Sequence, residues 1–307
     1  MKFDKVKFVS DIKNISCINQ DYFEKKMKNG HIVGWHFKQE TPFLLSIEKK
    51  NLRRELVIEF TGKILDKRYP ELINSDTIKL CLDKINQRCI CKLNVDAILE
   101  DATVVKCDVT SDVAYDDLEG LTSGIRTGIK NNKKYSCRID GDNLTITNNV
   151  STPNRKIRLV IYNKEKEMRR SKNALCHAQT DRDVFKDKVR FELNLTSVAQ
   201  IHKRLKIDTN SLYSVLNSSA TPIKDFLNDI IADKTGGVEV RTWSQFKNML
   251  VLEKYNYDLA VVETIVRQYS APKVSVKQIM KPFRELLDNC NCRSKNIKEE
   301  LNQLLSS

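Results

Sequence analysis

The chain of 307 residues contains no long apolar run, no paired histidines and no Cys-x-x-Cys spacing, and each absence closes a class of function. A membrane-spanning helix needs about 20 consecutive apolar residues, and no stretch approaches that. The N-terminal "MKFDKVKFVSDIK" is too charged for a secretory signal, so a soluble, intracellular protein is expected. The four histidines, His31, His36, His177 and His202, form neither H-x-H nor H-E-x-x-H, and no G-x-S-x-G, P-loop or dinucleotide fingerprint occurs. A hydrolase triad or a nucleotide-driven motor therefore has no sequence support. Nine cysteines, at 17, 81, 89, 91, 107, 137, 176, 290 and 292, are an odd number in a chain too large to need staples. They fit free thiols in a reducing compartment. Cys89/Cys91 and Cys290/Cys292 are C-x-C pairs, and His177 beside Cys176 completes no zinc spacing.

The composition is otherwise that of a globular protein, 40% hydrophobic and 30% charged, with enough length for one large or two modest domains. The charge is lopsided: 53 Lys and Arg against 40 Asp and Glu give a net +13. Such an excess favours an anionic polymer or surface, because summed positive potential speeds encounter with phosphates and releases their counterions.

The first 200 residues read mainly as strands joined by polar turns. "PFLLSIEKKNLRRELVIEF" is two strand-like runs about a Lys-Asn turn, predicting a hairpin over 42–60. "NSDTIKLCLDKIN" offers Ser75 or Asp76 as a cap and repeats Ile78, Leu82 and Ile85 at helical spacing. "YSCRIDGDNLTIT" sets Asp140-Gly141 between two alternating runs, a tight-hairpin signal. The surrounding Gly120 to Lys156 region carries Arg126, Lys130, Lys133 and Lys134, which could follow a phosphate backbone or simply be solvated. After "DKVRFELNLTSVAQIHKRLKI" the texture turns helical, which sets a boundary near Ile207. "WSQFKNMLVLEKYNYDLAVVETIVRQY" and "SVKQIMKPFRELL" form a helix, turn, helix series that either reads DNA or only packs, with Pro282 kinking the second pattern or restarting it. The predicted architecture is α+β: a largely antiparallel-sheet domain with flanking helices over 1–206, then a mainly helical domain over 207–307.

Four strand-like segments divide their residues between two faces. Leu56, Ile58 and Phe60 oppose Glu59, and Cys107 and Val109 oppose Asp108. Ile157, Leu159 and Ile161 oppose Arg158, Tyr162 and Lys164, while Phe191 and Leu193 oppose Arg190 and Glu192. If these strands join one sheet, Glu59, Asp108, Glu192, Tyr162 and Lys164 share one open face. Gathered carboxylates suit Mg2+ or Mn2+, and a metal beside a tyrosine with basic neighbours could attack a phosphodiester. The same pattern also describes a wet sheet face of exposed ion pairs.

The order of "ELVIEFTGKIL", "YPELINSDTIKLCLDKI", "VVKCDVTSDV", "RLVIYNKEKE" and "KVRFELNL" resembles the replication initiators of the filamentous-phage gene II type and related plasmid rolling-circle initiators. The likeness covers roughly Leu56 to Leu205. The resemblance implies a nuclease domain that nicks one strand of supercoiled origin DNA through a 5′-phosphotyrosine, frees a 3′-hydroxyl to prime synthesis and later rejoins the strand. It implies Tyr162 as nucleophile in a Tyr-x-Lys motif, Lys164 as its charge-stabilising neighbour, and Glu59, Asp108 and Glu192 as acidic positions for metal or acid/base work. The chain lacks the His-hydrophobe-His motif of many better-known initiators, so the implied metal sits among carboxylates. No second tyrosine with a matching motif lies close to Tyr162 in sequence. The candidate DNA contacts are Arg126, Lys130, Lys133, Lys134, Arg158 and Arg190. Expected partners are origin DNA, the host replication helicase and polymerase, and a second copy as a homodimer, in the cytoplasm of a bacterial cell and without a membrane. The open alternatives are a non-catalytic, sequence-specific DNA-binding replicon regulator and a mobilisation relaxase.

Overall fold

The computed structural model describes residues 1–37, 41, 43–129, 134–152, 156–170, 183–231, 240–255, 258–271, 275–289 and 294–306. The chain forms two compact units, one of Met1–Asp116 and Lys134–Asp225, the other of Asp117–Lys133 and Phe226–Ser307.

The first unit is built on a ten-stranded antiparallel sheet. Its strands are β1 (Phe3–Asp11), β3 (Glu24–Lys28), β4 (His31–Phe37), β5 (Leu44–Lys50), β6 (Glu55–Thr61), β8 (Thr103–Ala114), β9 (Tyr135–Asp140), β10 (Asn143–Asn148), β11 (Arg158–Asn163) and β12 (Lys188–Leu195). They lie in the order β3-β4-β5-β6-β1-β8-β12-β11-β10-β9. A separate two-stranded sheet pairs β2 (Ile15–Ile18) with β7 (Cys91–Leu93). The predicted hairpins form: β5 pairs β6, and β9 pairs β10 with Asp140 opposite Asn143. Gly141 opens that two-residue turn at a φ of +59°, a conformation only glycine adopts without penalty.

Alternation sorts the side chains as the sequence suggested. Phe8, Ile58, Cys107, Leu159, Ile161, Phe191 and Leu193 are fully buried on one face. Apolar stripes of α2 (Val95–Asp101), α5 (Val198–Leu205) and α6 (Leu212–Leu216) contact β1, β8 and β12 and supply the layer against that face. Helix α1 (Ile78–Gln87) buries Ile78, Cys81, Leu82 and Ile85, each such side chain contributing about 1.5–3 kcal/mol. Its cap position is Thr77, one residue after Asp76 and two after Ser75, and the Thr77 hydroxyl accepts from the Asn74 amide and donates to the Leu72 carbonyl.

Central to the sheet is β1, whose Lys5 and Lys7 alternate with Val6 and Phe8. A register shift between Phe3 and Lys5 against β8 puts Asp4 and Lys5, adjacent in sequence, on the same polar side. One end of that side is covered by a 3-10 stretch, Gly62–Glu71, and by α4 (Lys164–Met168), where Tyr69, Leu72, Met168 and Phe185 pack together.

The second unit is helical, with α3 (Leu118–Gly128), α8 (Trp243–Lys254), α9 (Leu259–Tyr269), α10 (Val276–Asn289) and α11 (Ser294–Leu304). Helix α7 (Pro222–Ile230) spans the division. Met249, Leu252, Val262, Met280, Phe283 and Leu286 form its core. Helix α10 continues through Pro282 without a restart. The boundary expected near Ile207 falls instead after Asp225, because Leu212, Val215 and Leu216 of α6 still complete the core of the sheet unit. The helical unit also reaches back to α3, whose Gly124 lies so close to Ile297 that an added Cβ would stand 3.1 Å from it.

Candidate active site

Register places Tyr162 opposite Arg190 and Arg190 opposite Asp112, so β11, β12 and β8 align these side chains in a row on the polar face. One residue pair further, Glu192 stands opposite Thr110 and Val160. The Tyr162 hydroxyl donates to Glu192 Oε1 at 2.5 Å. Both residues are partly exposed at the edge of the covered end.

Behind this pair lies a buried ionic network. Arg190 donates through Nε and Nη2 to both oxygens of Asp112 at 2.6 Å, a bidentate pair. Its Nη1 reaches Asp4 Oδ1 at 2.7 Å, the Tyr69 hydroxyl at 2.8 Å and Glu192 Oε1 at 3.9 Å. Tyr69 donates to Asp4 at 2.7 Å and accepts from Lys164 Nζ at 2.8 Å, and Lys164 also binds Glu167 Oε2 at 2.7 Å. Lys164 is therefore not the strand neighbour of Tyr162 that the sequence suggests. The Asn163 side chain accepts from the Lys166 amide and caps α4 at that point, which turns Lys164 inward against the rings of Tyr69 and, at 5.8 Å, Tyr162.

These surroundings set the protonation states. Burial, reinforced by the negative charge of Asp4, pushes the Glu192 carboxyl up to about 7, against the pull of Arg190. Burial and then the charge of Glu192 hold the Tyr162 phenol well above its ordinary value. The Lys164 ammonium is lowered by burial and by Arg190, with Asp4 and Glu167 opposing. Burial works against the Asp4 carboxylate, yet Arg190 and Lys164 hold it below the usual range. A tyrosine that stays protonated needs a base, and the carboxylate 2.5 Å away titrates near neutrality.

Glu192 holds its proton more tightly in the folded protein than in the unfolded chain. Its contribution to stability is therefore full below about pH 4.5 and is lost as the pH rises through about 7. Glu192→Gln removes that ionisation. The variant is expected to unfold several degrees above the wild type at about pH 8 and level with it at about pH 4, as read by thermal melts.

Further along the same face lies a band of cations and carboxylates. Lys5 pairs with Asp108 at 2.9 Å, and Glu59 lies 3.1 Å from Lys7 and 4.0 Å from Lys106. The three lysines keep part of their surface open to solvent. Arg158 is exposed and donates to Asn194 at 2.7 Å.

Glu59, Asp108 and Glu192 share this face but do not assemble into one ion site. Strands β1 and β8 stand between β6 and β12, so Glu59 and Glu192 are about 14 Å apart across the sheet, and Glu59 lies level with Lys106 while Glu192 stands opposite Thr110, which separates them further along the strands. Glu59 and Asp108 are each neutralised by lysine, and Glu192 is engaged by Tyr162. Among the described residues no group of three His, Cys, Asp or Glu side chains is placed to hold a metal ion. This donor set does not fit Mg2+ or Mn2+ as a shared ligand triad.

The candidate DNA contacts also separate. Arg190, expected at the surface, is fully buried because Asp4, Asp112 and Tyr69 saturate its donors. Arg126 belongs to the helical unit and pairs with Asp258 at 2.7 Å. Lys134 lies exposed in the turn before β9, and Lys130 and Lys133 lie outside the described residues. Asp4, Tyr69 and Asp112 were not anticipated. Asp112 follows the same period of two as Asp108, but Asp4 depends on the register shift and Tyr69 on the 3-10 stretch, and neither leaves a periodic trace.

No helix among the described residues is long and apolar enough to cross a membrane. Comparison with protein-family models, curated proteins and solved structures finds no match to this chain.

Proposed function

We propose that the sheet unit nicks and rejoins one strand of DNA, with Tyr162 as nucleophile and Glu192 as its proton acceptor. The observation that carries this reading is the 2.5 Å hydrogen bond from Tyr162 to a carboxylate whose pKa lies near 7, at the edge of a partly open sheet face. A merely solvated face would not need a buried arginine and lysine behind a single tyrosine.

In the forward step the Tyr162 oxygen attacks phosphorus while its proton passes to Glu192. The bond from tyrosine to phosphorus forms and the bond from phosphorus to the 3′ oxygen breaks. The leaving 3′ oxygen takes the proton from Glu192, giving a free 3′-hydroxyl and a 5′-phosphotyrosine. Rejoining is the reverse, and the phosphotyrosine link keeps the energy it needs. Arg190 and Lys164 are too buried to touch DNA, so they act as positioning residues. Arg190 fixes the Glu192 carboxylate, and Lys164 adds positive charge behind the Tyr162 ring.

Charge favours a polyanionic substrate for this unit. Its 38 Lys and Arg stand against 28 Asp and Glu, whereas the helical unit has 15 against 12. Lys5, Lys7, Lys106 and Arg158 line the face beside Tyr162 and would lie along the backbone. Lys7→Ala with Lys106→Ala is expected to weaken DNA binding for all sequences alike and to lower the salt slope by about 0.9 per lost duplex contact, measured by titration at several salt concentrations.

Initiation of rolling-circle replication of a plasmid or phage is the biological setting this reading fits. The test is incubation with supercoiled DNA carrying the replicon's origin, in magnesium or manganese buffer, followed for open circles and protein-linked DNA. Both products are expected. Tight binding to the origin with neither product would favour a non-catalytic regulator.

A further inference from the structure

Helix α8 carries apolar residues on two sides. Met249 and Leu252 face the core of the helical unit, while Trp243, Phe246 and Leu250 are 70%, 42% and 48% exposed. At 3.6 residues per turn, Trp243, Lys247, Leu250 and Lys254 fall in one narrow stripe with Phe246 at its margin. The rings of Trp243 and Phe246 are stacked, with centroids 5.4 Å apart and planes 24° from parallel. Lys247 and Lys254 are exposed, and Lys247 has no hydrogen bond or ion pair among the described residues. Two aromatic rings and a leucine held in water on one helix face mark a binding surface more than a packing remnant.

We infer that this stripe is a stacking platform for single-stranded nucleic acid. Trp243 and Phe246 offer ring faces to unpaired bases, and Lys247 and Lys254, about 10 Å apart along the helix axis, meet the phosphates. Charge decides between occupants. A second copy presenting the same stripe would bring Lys247 and Lys254 against their own counterparts, a like-charge contact. Three exposed apolar residues on one helix also fall far short of the roughly 20–30 residues a side of a stable protein interface. A single strand matches both features, since its phosphates complement the lysines and its bases, unlike those of a duplex, are free to stack. The inference does not rest on nicking by Tyr162, because strand binding is an equilibrium property measurable without cleavage.

The test uses the full chain in a Trp35→Phe background, which leaves Trp243 as its one tryptophan. Titration with a thymidine oligonucleotide of roughly 16 residues is expected to quench Trp243 emission. With affinity followed by anisotropy of a labelled oligonucleotide, the pair Trp243→Ala and Phe246→Ala is expected to weaken binding tenfold or more and to leave duplex affinity unchanged. Lys247→Ala with Lys254→Ala keeps the aromatic pair and the buried face. It is expected to weaken binding and to lower the salt slope by about 1.4, at about 0.7 per single-strand phosphate. Unchanged oligonucleotide affinity in both double variants would overturn the inference. So would a wild-type dimer that the aromatic variant converts to monomer at unchanged oligonucleotide affinity, which would assign the stripe to self-association.

Discussion

Tyr162→Phe is expected to reduce strand nicking by about 10⁴-fold or more and to abolish the protein-linked product, because the chain then lacks the attacking oxygen. The fold should survive the change. Tyr162 is only partly buried, and its ring contacts persist in phenylalanine while one hydrogen bond to Glu192 is lost. Its companion, Glu192→Gln, keeps size and polarity but cannot accept the proton, so a loss of about 10²–10⁴ is expected. The pH profile separates a proton role from a structural one. Wild-type nicking should rise with pH through about 7 as Glu192 ionises, and the glutamine variant should lose that limb.

The largest stability effect is expected at Arg190. This side chain is fully enclosed and holds Asp112, Asp4 and Tyr69 together through four hydrogen bonds from its rigid, planar fork. Arg190→Ala strands two carboxylates in a poorly hydrated site, which is expected to cost about 3–5 kcal/mol and to lower the unfolding temperature by roughly 10 °C. The pH dependence follows from Asp4, whose carboxyl Arg190 and Lys164 hold below its ordinary value. Such a group stabilises the fold above its unfolded pKa, and that contribution disappears as the pH falls through the folded one. The gap between wild type and Arg190→Ala should therefore narrow below about pH 4, measured by denaturant melts across that range.

The two effects together describe a division of labour on one sheet face. Tyr162 and Glu192 stand where a substrate can reach them, and Arg190, Lys164, Asp4 and Tyr69 spend their charges on one another behind that pair. Buried positive charge of this kind cannot hold DNA; under the proposed function its part is to orient Glu192, 3.9 Å from Arg190, as proton acceptor.

Much of this face was legible in the sequence. The period of two in "ELVIEFT", "TVVKCDVT", "IRLVIYNK" and "KVRFELNL" assigned Glu59, Asp108, Tyr162 and Glu192 to a polar side, and the strands do share one sheet with those residues on the same side. Alternation fixes a side chain's face but not its distance across the sheet. That distance comes from strand order, and β1, formed by the charged N-terminal segment, inserts beside β8 between β6 and β12. Its Lys5 and Lys7 claim Asp108 and Glu59, which is why the carboxylates expected to gather round one metal do not meet.

Other features were local exceptions to a period. The strand pattern in "IYNKEKE" stops at Asn163 because that side chain caps a helix, so Lys164 reaches the buried network from a helix and not from a strand position beside Tyr162. Asp4 reaches Arg190 only because of a register shift, and Tyr69 only because two 3-10 turns meet at Asp66, whose φ is +55°. Neither irregularity has a hydrophobic period to announce it. The helical unit's use of α3 was hidden for a different reason, since an insertion of 17 residues between β8 and β9 carries no compositional mark of belonging elsewhere.

The most direct measurement is the chemical identity of the linked residue. Origin DNA is nicked by the wild-type protein, trimmed with nuclease and digested with protease, and the modified peptide is located by mass spectrometry. A nucleotide joined through its 5′ phosphate to Tyr162 is the predicted result. A nucleotide on any other residue, or nicking of the origin that leaves no protein-linked nucleotide, would contradict the account.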